Sequence, residues 1–195
     1  MMVLKLGGSL LSSPAALMQC LQLACQQEQG QLVIVPGGGV FADQVRLTQK
    51  QWQYDDKVAH YMAILAMQQM ALLLQGLCAD LVLVDKVAAI APALQRHKLV
   101  VWSPLASELD AAGIPASWDV TSDTLAAWLA IQLSAARLIL VKSAELPENA
   151  TLEQLSISGV IDKALTRLVH NSPLMIECIS IHQLPFLATC LKNNA

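Results

Sequence analysis

Charge is what this chain has least of. Only 14% of its 195 residues are Asp, Glu, Lys or Arg, while 55% are hydrophobic; ordinary soluble domains carry about a quarter charged residues. That balance excludes intrinsic disorder, which requires high charge and little hydrophobicity. It also leaves so little polar surface that a homo-oligomer is expected. The 12 basic residues are scattered among 15 acidic ones, for a formal charge of -3. Without a basic run there is no electrostatic footprint for nucleic acid or an anionic membrane. The five cysteines, Cys20, Cys25, Cys78, Cys178 and Cys190, form no CxxC pair and are odd in number, which suggests neither a disulfide framework nor a zinc site. They read as buried thiols of a cytoplasmic protein. Long apolar runs are lacking too. Pro14, Gln19 and Gln22 interrupt Leu10 to Cys25, against a signal peptide, and Gln68, Gln69, Gln75 and Asp80 interrupt Tyr61 to Val84, against a membrane span.

What is present is an alternation of short apolar runs with longer helical patterns, as in βαβ units around a mainly parallel sheet. Strands are expected at Val3 to Leu6, Leu32 to Val35, Leu81 to Val84, Leu99 to Trp102, Leu138 to Val141 and Leu174 to Cys178. Most are continuously apolar, as befits a sheet covered on both faces. Helices are expected at Pro14 to Gln29, Val40 to Lys50, Asp55 to Leu77, Pro104 to Ala112, Ser122 to Ala136, Asp162 to Val169 and His182 to Leu191. Gly30 and Gly113 are natural helix stops. The break at Ala112 to Asp119 marks the boundary expected between a lobe of residues 1–118 and one of residues 119–195.

Glycine is also scarce, with nine in the chain, yet Gly7, Gly8, Gly37, Gly38 and Gly39 follow the first two expected strands directly. Glycine there lets backbone N–H groups approach one anion, and the following helix N-terminus adds further donors. In a parallel sheet both turns would lie on the rim beyond the strand carboxyl ends, where ligands bind. Neither turn matches GxxxxGK[ST] or GxGxxG, so the P-loop and Rossmann fingerprints are absent. Lys5 sits inside the first apolar strand, where a buried ammonium needs an anion; from there it can neutralise phosphoryl oxygens. Ser9 can donate to the same phosphates or cap the next turn. Asp119, Thr121, Ser122 and Asp123 stand before an apolar helix, as caps or as organisers of lysines or of Mg²⁺ carried by a nucleotide.

On "KLGGSLL" (Lys5 to Leu11), "VIVPGGGVFADQVR" (ending at Arg46) and "DVTSDTLAAWLA" (Asp119 to Ala130) the chain resembles the amino acid kinase superfamily. The resemblance implies an αβα sandwich of three layers that transfers the γ-phosphoryl group of ATP, with Mg²⁺, to a carboxylate or phosphate of a small-molecule substrate. It implies Lys5 as the phosphate-stabilising lysine, and Gly7, Gly8, Ser9, Ser122 and Lys163 as nucleotide-phosphate contacts. Gly37, Gly38 and Gly39 fall near the acceptor, Asp119 takes an acceptor-contacting position, and Asp123 organises the catalytic lysines. The lobe 1–118 would bind the acceptor and the shortened lobe 119–195 the nucleotide. The late "GGMxxK"-like segment that often brings a second catalytic lysine is missing. Lys142, at a strand end, and Lys163 are the candidates to replace it, Lys142 being preferred for its place on the rim.

A finer resemblance, carried by Ala59 to Ile64, Trp118 to Asp123 and Gly159 to Asp162, is to small kinases of methanofuran biosynthesis. It implies (5-(aminomethyl)furan-3-yl)methyl phosphate as acceptor and a diphosphate as product. Tyr54, Asp55, Asp56, His60 and Tyr61 then become candidates for lining a cationic acceptor's site, or simply a solvated helix start. His60 is expected to bind the acceptor rather than act as base, because a phosphate is already ionised. UMP or an acylated amino acid as acceptor, and a non-catalytic nucleotide-binding or storage protein, are the alternatives.

Overall fold

The computed structural model describes residues 1–27 and 31–192. Six strands, β1 (Met2–Leu6), β2 (Leu32–Pro36), β3 (Val82–Val84), β4 (Leu99–Trp102), β5 (Arg137–Lys142) and β6 (Met175–Ser180), form one sheet in the order β3-β4-β2-β1-β5-β6. Every neighbouring pair is parallel. Around it lie α1 (Pro14–Cys25), α2 (Gly39–Trp52), α3 (Asp56–Leu77), α4 (Val87–Leu94), α5 (Ala106–Ala111), α6 (Ser122–Gln132), α7 (Leu152–Ile157), α8 (Lys163–Val169) and α9 (Leu184–Lys192).

Alternation along the strands divides the core into two layers. Val3, Val33, Val35, Val100, Trp102, Leu138 and Leu140 face one cluster, with Leu109, Leu125, Leu129 and Leu165 from α5, α6 and α8. Met2, Leu4, Leu6, Ile34, Val101, Ile139 and Val141 face the other, with Leu17 and Leu21 from α1 and Leu187 and Leu191 from α9. The result is the three-layer αβα sandwich. Its central strands are buried on both sides, which is why they read as continuous apolar runs, interrupted in β1 by Lys5 alone.

Local chemistry explains several element ends. The Asp55 carboxylate accepts from Val58 N–H at 2.8 Å and starts α3. Ser134 at φ +50° closes α6, with Ala135 N–H returning to the Ala130 carbonyl at 2.8 Å, so the helix stops short of the expected Ala136. Gly113, at φ +70°, ends α5 with the same return bond from Ile114 N–H to the Leu109 carbonyl. Helix α1 ends at Cys25, and the expected end at Gln29 and the stop at Gly30 lie outside the described residues. Two helices were not expected from the sequence. One is α4, where Pro92 stands inside the helix and reads as a breaker. The other is α7, opened by a Thr151–Gln154 capping box whose T-x-x-Q spacing was a visible signal.

Among the described residues α3 alone is long and apolar enough to cross a membrane. Its Ile64, Met67, Met70, Ala71 and Leu74 are buried in the core.

The feature that positions the site is the meeting of the two glycine turns. Gly37 N–H donates to the Leu6 carbonyl at 2.8 Å and Gly7 N–H to the Val141 carbonyl at 3.1 Å, so both turns extend the strand ladder at one end of the sheet. A Cβ on Gly8 would stand 2.2 Å from Gly39 N, and one on Gly37 2.4 Å from Gly8 N. Backbone packed this closely leaves no space for a side chain. Gly8→Ala is therefore expected to destabilise by about 2 kcal/mol or more, lowering Tm by roughly 4–8 °C. Gly76→Ala on α3, where a Cβ meets nothing within 4 Å, is expected to raise Tm by about 2 °C through reduced unfolded-state entropy. Thermal unfolding of the two variants checks both.

Candidate active site

Period-two geometry places Lys5 on the same face of the sheet as Val3, and Lys142 on that of Leu138 and Leu140. Because β1 and β5 are neighbours, with Lys5 opposite Leu140, the two ammonium groups approach from adjacent strands. Helix α6 crosses this face and is enclosed all round, every residue from Ser122 to Ala130 being buried. Its first turn carries the one carboxylate that meets both lysines. Lys5 Nζ lies 2.8 Å from Asp123 Oδ1, and Lys142 Nζ donates to Asp123 Oδ2. Lys5, Asp123 and Lys142 are 4%, 3% and 9% exposed, so this is a buried triad with one net positive charge.

Burial alone would raise the Asp123 pKa. The two ammonium groups, through charge and hydrogen bonds, outweigh it and hold the carboxyl below its ordinary range. Burial pushes the Lys142 ammonium down, and the charge of Lys5 pushes the same way against the attraction of Asp123. A polyanion at the triad would offset that excess charge.

The start of α6 is held by a residue whose part in the site sequence reasoning missed. The Asp162 carboxylate, just before α8, accepts four hydrogen bonds: from Thr121 N–H and hydroxyl at 2.8 and 2.7 Å, and from Thr124 N–H and hydroxyl at 3.0 and 2.9 Å. Thr121 thus makes no side-chain cap of its own. The capping signal was legible at Thr121 and Ser122, but the acceptor comes from 38 to 41 residues away.

Beside the triad a cavity of about 180 Å³ is lined by residues including Gly8, Ser9, Gly38, Gly39, Asp43, Arg46, His60, Trp118 and Ser122. The Ser9 and Ser143 hydroxyls share a hydrogen bond at 2.7 Å. The Arg46 guanidinium stacks 4.3 Å above the Trp118 ring, whose N–H donates to Gln49 at 2.7 Å, and Arg46 also reaches Asp43 at 3.2 Å. His60 is buried and its Nε2 has no hydrogen-bond partner. Burial lowers its pKa from the ordinary 6.5, more than the Ser117 backbone and Asp110 raise it.

Not every expected residue arrives here. Gly7 and Gly37 serve the turns from within, through the backbone bonds above, and line no described cavity. Asp119 and Lys163 are exposed and line neither this cavity nor the larger one described below. The loop holding Asp119 is tied down by its backbone, its carbonyl accepting from Ala164 N–H at 3.3 Å. The acidic and aromatic group at the start of α3 has other work. Tyr54 bonds Thr48 and the Val45 carbonyl, Asp55 caps the helix, Asp56 accepts from Gln49, and Tyr61 donates to Asp110 at 2.6 Å. Of that group only His60 lines the cavity, and Asp43, Arg46 and Trp118 supply the charge and aromatic ring instead. A second cavity, of about 590 Å³, follows β5 and β6 and is lined by residues including Leu146, Thr151, Ile176, Gln183 and Phe186.

Residues 1–145 match the model of the amino acid kinase family. The chain belongs to the amino acid kinase family. It is a phosphotransferase, and membership of this kinase family implies ATP as phosphoryl donor. It is 23% identical over 185 residues, covering 91% of this chain and 83% of the relative, to the (5-(aminomethyl)furan-3-yl)methyl phosphate kinase of Methanocaldococcus jannaschii. Among solved structures, uridylate kinase from Archaeoglobus fulgidus matches with a TM-score of 0.75 and 20% identity over 100% of this chain and 96% of that one. An isopentenyl phosphate kinase matches at 0.66 and 13%, over 97% and 95%. At these identities the solved structures establish the fold of this kinase.

Two outcomes follow from the buried charges. Asp123→Asn leaves two ammonium groups against a neutral amide and is expected to cost about 3–5 kcal/mol, more than Lys5→Met or Lys142→Met, as read from denaturant midpoints. For His60 the unfolded chain binds the proton more tightly than the folded one. The stability that neutral His60 carries is thus present above pH 6.5 and lost as pH falls through its lowered folded pKa. Tm should fall as pH drops below 6.5, and His60→Gln should flatten that fall.

Proposed function

We propose that this kinase transfers the γ-phosphoryl group of ATP to a small phosphate monoester bearing a cationic arm, with (5-(aminomethyl)furan-3-yl)methyl phosphate as the acceptor. The observation that carries the reading is the composition of the smaller cavity, which sets one carboxylate, Asp43, and one aromatic ring, Trp118, beside the glycine turns. An ammonium would take the place of Arg46 on Asp43 and a furan its place over Trp118, freeing the guanidinium for the acceptor phosphate, which lies toward Gly38, Gly39 and His60. At about 180 Å³ the cavity is smaller than the roughly 300–1,000 Å³ of common ligand pockets, which favours a compact acceptor over a nucleotide. The relative named for that furan phosphate supports the same choice.

In this reading the acceptor oxygen attacks the γ-phosphorus, a P–O bond forms, and the bond to the β-phosphate oxygen breaks to release ADP. Lys5 and Lys142 each give one donor direction to Asp123 and keep others for the phosphoryl oxygens, where charge accumulates in the transition state. Asp123 positions the lysines. Both its oxygens are engaged, so Mg²⁺ would be held by the nucleotide's own phosphates, where it supplies charge neutralisation. The turn Gly7, Gly8 and Ser9, with Ser122, would hold the donor phosphates, and the larger cavity beside β5 and β6 would take the nucleoside. On that division residues 1–118 mainly bind the acceptor and residues 119–195 the nucleotide. Asp119 and Lys163 take no part in it. A homo-oligomer belongs to the same proposal, because exposed Val58, Leu65 and Leu72 recur every seven residues along α3.

The test is ADP release with a panel of the aminomethylfuran phosphate, UMP, acetylglutamate and aspartate. Turnover with the furan phosphate is expected. Lys5→Ala and Lys142→Ala should each lower kcat by about 10²–10³-fold, and Asp43→Asn should raise KM for the furan phosphate while leaving KM for ATP unchanged. Rapid turnover of UMP with the furan phosphate inert would overturn the acceptor assignment.

A further inference from the structure

The end of the sheet opposite the glycine turns carries a second group of reactive side chains. Helices α1 and α3 both run back from the rim and finish there, α1 with Cys25 and α3 just before Cys78. The two sulfurs, from positions 53 residues apart, stand 2.6 Å from each other, inside the contact distance of unbonded sulfur atoms, and both cysteines are free thiols. Asp80 completes the group, its carboxylate and the two sulfurs all lying within 4.8 Å of one another. Cys25 is half-buried and lines an open cavity of about 270 Å³ with Gln27, Asp80, His97 and Lys98. Cys78 is buried behind it.

We propose that Cys25 and Cys78 form a reversible redox site, a dithiol that closes to an intramolecular disulfide when a small-molecule disulfide enters this cavity. The Cys25 thiolate attacks one sulfur of the oxidant, forming a mixed disulfide and releasing the first thiol of the oxidant. Cys78 then gives up its proton and attacks the Cys25 sulfur, forming the protein disulfide and releasing the second thiol. Two protein thiols are oxidised and one external disulfide is reduced to two thiols. The cavity gives access to the more exposed sulfur, and the buried partner in contact with it favours resolution over a lasting adduct.

The electrostatics set the pace. Burial, the Cys78 thiol and Asp80 push the Cys25 pKa up to about 12, with His97 and Lys98 facing the same cavity. Thiolate is rare at neutral pH, so closure is slow there and accelerates about tenfold per pH unit. The closed loop spans residues 25–78 and includes the second glycine turn with α2 and α3, so the disulfide removes unfolded-state freedom from the part of the chain that shapes the smaller cavity.

The experiment treats the full-length reduced protein with oxidised glutathione, traps remaining thiols by alkylation in denaturant, and maps the peptides. The expected result is loss of two of the five thiols, a Cys25–Cys78 linked peptide, full reversal by dithiothreitol, and a higher Tm for the oxidised form. Cys25→Ser and Cys78→Ser should each abolish the link. The mapping on the unaltered protein stands whether or not those variants fold. Retention of all five thiols, a glutathione adduct that never resolves, or linkage through other cysteines would overturn the proposal. So would stoichiometric Zn²⁺ that protects both thiols until a chelator removes it, because the group would then be a metal site.

Discussion

Three buried charges organise this molecule. A lysine inside a parallel sheet is unfavourable unless an anion meets it, and here two lysines from adjacent strands meet a single aspartate on the helix that crosses them. The arrangement constrains β1, β5 and α6 together, because a shift of any one would strand a charge in a low-dielectric core. It is also incomplete by itself. Two positive charges against one negative leave the rim with an excess that a polyphosphate can balance, which is why the proposed anion site falls on the same atoms.

Around the triad, polar groups hold elements whose apolar packing would leave them free to slide. Asp162 gathers two N–H groups and two hydroxyls from the start of α6, which aligns the helix that carries Asp123. The glycine turns contribute by exclusion, since Gly8 and Gly39 touch through backbone and leave no space for side chains that would separate the two strand ends. Gly39 also adopts φ +54°, a conformation costly for other residues. Positioning of this kind is what phosphoryl transfer asks of a protein, because most of its catalysis is placement and electrostatics.

The division of the surface follows the same topology. With all strands parallel, one end of the sheet gathers the turns that leave the strands and the other gathers the ends of the returning helices. The first holds the glycine turns, the triad and two cavities, and the second holds Cys25, Cys78 and Asp80. The proposed phosphoryl transfer uses only the first. The thiol pair at the other pole lies where two helices that run back from the rim end.

Much of this was legible in the chain. Apolar runs at β1, β2, β4 and β5 marked central strands, glycines clustered after two of them marked the end of the sheet where both turns meet, and a lone lysine in the first strand marked a buried charge in need of a partner. Those signals are local, since they depend on which residues stand within a few positions of each other. What the sequence left open was set by distance through space. Asp162 as the partner of Thr121 and Thr124, Asp43 and Trp118 rather than Tyr54 and Asp55 in the smaller cavity, and the contact of Cys25 with Cys78 all join residues on different elements. Composition and periodicity determine that a side chain is buried or that a helix begins. Only the packed sheet, which fixes the register of β1 on β5 and the line along which α6 crosses them, decides which buried group meets which.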